Sequence, residues 1–148
     1  MMMIKTKIYM DVCCYNRPFD DQRQEKIKIE SESVLLILNS CQTGKWELIG
    51  SDVLDFEISK ITDPVRKYKV NALYSLHQQK VKVDERIRKR AIELQSAGFA
   101  ALDALHVACA EPGVDAMLTT DDELIKLASK SVLNVEVKNP CIWLMEVL

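Results

Sequence analysis

Two short apolar runs far apart in the chain, Lys7-Ile8-Tyr9-Met10 and Ala116-Met117-Leu118-Thr119-Thr120, are each followed at once by an aspartate, Asp11 and Asp121. Runs of this length and composition read as buried strands. Around them the chain alternates strand-like and helix-like segments, which calls for a mostly parallel sheet with helices on both faces. In such a sheet ligands bind outside the carboxyl ends of the strands, at the point where strand order reverses. Asp11 and Asp121 are therefore expected near one mouth.

The remaining elements follow from turn and cap signals. Residues 16–21 form a turn-rich loop in which Asp20 or Asp21 is placed to cap a long helix from Gln22 to about Cys41, with Ile27, Val34, Leu35 and Leu38 at helical spacing. Gly44 ends that helix, and 46–50 reads as strand two. Ser51 or Asp52 caps a short helix that ends by Pro64, which opens another helix reaching Gln79. A short strand over 81–83, a basic helix over 85–96 capped by Asp84, and an apolar helix over 99–110 come next. Strand 116–119, a helix over 122–130, strand 134–138 and a terminal segment 140–148 complete a three-layer α/β sandwich of about four or five strands. The absence of a linker or repeat makes residues 1–148 one expected domain.

Two further acids stand among apolar neighbours. The segment Phe99 to Ala110 is apolar nearly all round and reads as a buried helix, with Asp103 and His106 as its only polar side chains, three residues apart on one side. Glu57 lies one turn from both Val53 and Ile61, so it points with the apolar stripe, whereas Asp55 points away. Burying an unpaired carboxylate is costly enough that it usually neutralises, pairs or binds a metal. Two carboxylates ~4 Å apart repel by about 4 kcal/mol at an effective dielectric of 20. A divalent metal held by Asp11, Glu57, Asp103 and Asp121 explains all four at once.

Composition bounds the rest. The 48% hydrophobic and 28% charged fractions are those of a soluble globular protein, and no apolar run approaches the ~18 residues of a membrane span. With no signal-peptide pattern before the first strand, a cytoplasmic location without membrane attachment is expected. Five cysteines without zinc spacing read as reduced, small buried residues. A net charge of −2 argues against broad nonspecific nucleic-acid binding. Basic clusters at 86–90 and 60–69 read either as solvated helix faces or as phosphate grips, and Arg17, Arg66 and Arg88 are candidate phosphate ligands.

The ordered set Ile8-Tyr9-Met10-Asp11 with Asn16 nearby, Ile49-Gly50-Ser51 leading to Glu57, Ala101 to Ala108 around Asp103, and Met117-Leu118-Thr119-Thr120-Asp121 resembles the PIN-domain family. That family comprises metal-dependent nucleases and includes the toxin components of VapBC-type toxin–antitoxin pairs. The resemblance spans nearly the whole chain. It implies an endoribonuclease that hydrolyses RNA phosphodiester bonds, with Asp11, Glu57, Asp103 and Asp121 as catalytic acids around one or two Mg²⁺ or Mn²⁺ ions. It further implies Asp11 and Asp103 as primary ligands, Asp121 completing the site, Glu57 serving a second metal or the attacking water, and Thr119 as polar support. An antitoxin and a second copy of the chain are the implied protein partners. Many relatives carry Thr or Ser and then Asn after the first aspartate; Val12-Cys13-Cys14 stands here, leaving Asn16 as the replacement. Asp122 competes with Asp121 as a ligand but suits a helix cap, and His106 either contacts substrate or is a hydrogen-bonded helix residue at the edge of the site.

A competing reading keeps the fold without the chemistry, as a module binding RNA or protein. A phosphatase of the haloacid dehalogenase type fits poorly, because it needs a second aspartate where Cys13 stands. A receiver domain, which needs paired early acids, fits no better.

Overall fold

The computed structural model describes residues 4–148. Five parallel strands, β1 (Lys7–Met10), β2 (Glu47–Ser51), β3 (Gln79–Val81), β4 (Ala116–Leu118) and β5 (Glu136–Lys138), form one sheet in the order β3-β2-β1-β4-β5. The α/β architecture with a parallel central sheet is the expected one. The chain moves outward from β1 through β2 to β3 and then crosses back to place β4 on the other side of β1. The reversal point therefore lies between β1 and β4, whose carboxyl ends carry Asp11 and Thr119 to Asp121.

Among the described residues seven α-helices lie between strands, α1 (Val12–Asn16), α2 (Glu25–Gln42), α3 (Asp52–Ser59), α4 (Pro64–Tyr74), α5 (Glu85–Ser96), α6 (Ala101–Ala110) and α7 (Asp122–Ser129), and α8 (Pro140–Val147) follows the last strand. The core is built from Ile8, Tyr9, Met10, Leu48, Met117 and Leu118 on the central strands, with α2 contributing Val34, Ile37 and Leu38 and α6 contributing Ala104, Val107 and Ala110. The small side chains of α6 let its backbone lie close to its neighbours, which explains why this helix carries so many alanines. From His106 to Ala110 it is wholly buried; its first turn is not, with Leu102 half-exposed.

Several boundaries differ from expectation for identifiable reasons. The loop over 16–21 is largely helical, since α1 is followed directly by a 3-10 turn at Arg17–Phe19. The long helix starts at Glu25 without a side-chain cap; Asp20 accepts from Arg17 and Arg66 instead, and Asp21 from Arg23. α4 ends at Tyr74, because 79–81 is taken as edge strand β3 beside β2, two residues ahead of the expected 81–83. Gly50 lets Tyr74 approach the sheet: a Cβ there would lie 2.6 Å from the Tyr74 hydroxyl. Among the described residues no helix is long and apolar enough to cross a membrane.

Candidate metal centre

Each acid is fixed by the way its element begins or ends. Asp11 leaves β1 in extended conformation and caps α1, its Oδ1 accepting from the Val12 N–H at 2.7 Å and its Oδ2 from the Thr119 hydroxyl at 3.0 Å. The Asp11 N–H in turn donates to the Leu118 carbonyl at 2.9 Å, continuing the pairing of β1 with β4 past the strands themselves. Thr119 also accepts from the Asp121 N–H at 3.1 Å, so one hydroxyl ties both strand-end aspartates together.

Asp121 is the cap of α7, its Oδ1 accepting from the N–H groups of Glu123 and Leu124 at 3.0 and 3.2 Å. The expectation that Asp122 fills this role is corrected: Asp122 is the first helical residue and pairs with Lys26 at 3.0 Å on the surface. Asp103 is half-buried one turn before His106 on α6, and it lines with Asp121 an open cleft of about 450 Å³ that also includes Lys126 and Lys130.

Glu57 sits half-buried on α3, a helix started by Ser51, whose Oγ accepts from the Leu54 N–H at 3.0 Å. His106 lies at the centre of the cluster rather than at its edge. It is 1% exposed, with Nε2 hydrogen-bonded to Glu57 Oε1 and 3.7 Å from Asp11 Oδ1. Its Nδ1 is hydrogen-bonded to the buried Tyr9 hydroxyl, which continues to Ser51 Oγ at 2.7 Å. One ligand atom each from Asp11, Glu57 and His106 falls within 4.8 Å of the others, close enough for a single ion to meet all three.

Other candidates are committed elsewhere. Asn16 donates to the Val12 carbonyl and accepts from Arg66 at 3.0 Å, so the hydroxyl support of Asp11 comes from Thr119. Arg17 bonds Glu30 and Asp20, and Arg66 bonds Asp20, Asn16 and the Phe19 carbonyl, so both are committed to holding the fold, whereas Arg88 makes only an exposed pair with Glu85 at 3.5 Å. Lys60 lies over the Phe56 ring and Lys69 over Phe19.

The charge balance favours a cation. Among the described residues no lysine or arginine pairs with Asp11, Glu57, Asp103 or Asp121; His106 is the one basic partner, reaching Asp11 and Glu57. Burial and the charges of Asp11 and Asp121 raise the Asp103 carboxyl above its ordinary value. Burial opposes the His106 imidazolium, but the Glu57 hydrogen bond and the charges of Asp11, Glu57 and Asp103 outweigh it and hold this histidine above its ordinary value. A donor set of carboxylate oxygens with one imidazole nitrogen, short of positive charge, fits a divalent metal.

Tyr9, Ser51 and Cys13 escape a reading of the sequence. The signal for Tyr9 is a lone hydroxyl in an otherwise apolar strand, since a buried tyrosine hydroxyl usually has a partner. Cys13 shares a 3.4 Å contact with Thr119 Oγ1 and accepts from the Thr120 N–H. A hydrogen bond from Cys14 lowers its thiol against the opposing effects of burial and Asp11, with Thr119 and Thr120 helping. All five cysteines are free thiols, as expected, but Cys13 and Cys141 are only half-buried.

No family model matches the chain, and no curated protein matches it. Its fold is similar to solved structures. A chain in the crystal structure of FitAcB from Neisseria gonorrhoeae superposes with a TM-score of 0.60 at 19% identity, over 90% of this chain and 97% of that one. A chain of VapBC2 from Rickettsia felis, bound to a DNA fragment from their promoter, gives 0.60 at 10% identity, over 90% and 98%. A chain of FitAB bound to an IR36 DNA fragment gives 0.61 at 19% identity, over 90% and 95%. The likeness covers the fold almost end to end in both directions.

Proposed function

We propose that this chain is a metal-dependent endoribonuclease of the PIN-domain kind, formed by residues 1–148 as one domain and acting as the toxin of a toxin–antitoxin pair. The observation that carries this reading is the gathering of acids at the reversal point of a parallel sheet: Asp11 and Glu57 lie within reach of one ion, Asp103 feels the charges of Asp11, Asp121 and Glu57, and among the described residues none of the four forms an ion pair with a lysine or arginine. The sequence resemblance and the fold shared with VapBC2 supply the nuclease and toxin parts of the reading.

Asp11, Asp103, Asp121 and Glu57 would hold Mg²⁺ or Mn²⁺. Bound there, such an ion supplies positive charge to a phosphodiester and lowers the pKa of a water. Asp11 is held still by one hydrogen bond to each of its oxygens, which leaves each a lone pair for a cation. Asp121 is anchored through Oδ1 by the start of α7 and keeps Oδ2 for the cleft. Glu57 spends Oε1 on His106 and keeps Oε2 to receive a proton from the attacking water. Asp103, whose carboxyl is raised by burial and by its neighbours, holds a proton more readily than an ordinary aspartate when no cation is present.

An antitoxin segment is the proposed regulator and RNA the substrate. The exposed Phe56 on α3 and Val65 and Tyr68 on α4 offer apolar side chains to a second copy of the chain. The test is cleavage of a labelled single-stranded RNA pool by the purified chain: activity with added Mn²⁺ or Mg²⁺, lost with a chelator and restored by excess metal, is expected. Tight metal binding with no cleavage of any RNA would favour the noncatalytic module.

A further inference from the structure

Every oxygen donor of the site has been assigned above, but His106 has not. It is the most buried member of the cluster, and its position is set from both sides of the ring. Nε2 faces Glu57 Oε1 and lies 3.7 Å from Asp11 Oδ1, so its proton stands between two carboxylates, the place a cation would take. Nδ1 faces Tyr9 Oη, which faces Ser51 Oγ. That arrangement is the outer support usual for a metal-binding imidazole, whose second nitrogen donates to a fixed oxygen.

We propose that His106 Nε2 is a metal ligand together with Asp11 and Glu57, and that this nitrogen makes the site select Mn²⁺ over Mg²⁺. The proposal rests on the metal-centre reading and changes its donor set. Mg²⁺ demands oxygen ligands in near-ideal octahedral geometry and gives up water reluctantly. First-row transition cations accept imidazole, and they bind a mixed nitrogen and oxygen site more strongly along the series that begins with Mn²⁺.

The hydroxyl chain permits both states of the ring. Without metal, Ser51 donates to Tyr9 and Tyr9 donates to Nδ1, leaving the ring proton on Nε2 for Glu57, and every hydrogen has an acceptor. With Nε2 on a cation, the ring proton moves to Nδ1 and donates to Tyr9, which turns its own hydrogen onto Ser51 Oγ. Ser51 then accepts from both Tyr9 and the Leu54 N–H, its own hydrogen turned away from Tyr9. Tyr9 and Ser51 thus position the ring, and of these three side chains only His106 would touch the metal.

The test uses the full chain with Mn²⁺ alone and Mg²⁺ alone, free of RNA, so that it stands apart from nuclease activity. Electron spin-echo modulation of the bound Mn²⁺ should show coupling to an imidazole nitrogen in the wild type and in His77→Gln, and none in His106→Gln. By calorimetry His106→Gln should lose at least about tenfold in Mn²⁺ affinity, with Mg²⁺ affinity changed several times less. Bound Mn²⁺ without nitrogen coupling in the wild type overturns the proposal and leaves the metal-centre reading standing. Equal loss of both metals in a folded His106→Gln overturns the claim of selectivity. Failure of the wild type to bind either ion overturns both. Should His106→Gln not fold, the comparison of wild type with His77→Gln decides the ligand.

Discussion

The Tyr9 hydroxyl and His106 Nδ1, 97 residues apart in the chain, share a buried hydrogen bond that couples the first strand to the helix bearing Asp103. Through Nε2 the same ring meets Glu57, so three separate elements are aligned around one imidazole. Tyr9→Phe removes a partner from His106 and from Ser51 at once. Leaving buried polar atoms unpaired costs about 1–3 kcal/mol. Urea unfolding of the metal-free chain should show that loss, and metal affinity should fall with it; unchanged values in both would mean the ring is held by packing alone.

Asp103→Asn should stabilise the metal-free chain at neutral pH. Burial and the charges of Asp11 and Asp121 raise the Asp103 carboxyl in the folded state. A raised carboxyl favours folding fully only below its unfolded value, and that contribution is lost as pH rises through the folded value. The melting temperature of Asp103→Asn minus that of the wild type should therefore grow from pH 4 towards pH 7 without metal. A difference independent of pH would deny that Asp103 is strained by its neighbours.

Glu30 is 2% exposed and accepts from Arg17 Nε at 2.9 Å and from Asn139 Nδ2 at 2.8 Å. It ties the turn after α1 and the start of α8 to α2. Glu30→Ala leaves both donors short of an acceptor and should destabilise by about 1–3 kcal/mol. Arg17→Ala should likewise lower stability, whereas a phosphate-binding role would lower RNA affinity and leave the unfolding midpoint unchanged.

Gly50→Ala places a Cβ 2.6 Å from the Tyr74 hydroxyl, which bonds the Ser51 carbonyl and Asp55. Overpacking of this kind costs about 1–3 kcal/mol. Thermal melts should show it, and Tyr74→Phe, which removes the clashing oxygen, should recover part of the loss in the double variant.

The fold was legible wherever one local signal had no rival. Apolar runs closed by aspartate gave β1 and β4, Pro64 at the first helical turn gave the start of α4, and Asp84 as cap gave the start of α5. Where two neighbouring residues offered the same chemistry, only tertiary packing chose. Asp121 rather than Asp122 caps α7 because Thr119 already holds its backbone, and α2 starts late because Asp20 is drawn to Arg17 and Arg66. The centrality of His106 could not be read from its helix, since its partners Tyr9, Glu57 and Asp11 come from β1, α3 and the strand end. Arginine roles were equally hidden, because whether Arg17 or Arg66 is free depends on acids brought near only by folding.

Among the acids proposed to hold a metal against RNA, Asp11 is the one fixed by both of its oxygens. The most direct measurement is cleavage of a 5′-labelled single-stranded RNA pool by wild type, Asp11→Asn and Asp103→Asn in Mn²⁺ or Mg²⁺, with circular dichroism to establish that each variant is folded. The account predicts metal-dependent cleavage by the wild type and none by either folded variant. Cleavage by both variants at the wild-type rate would contradict it.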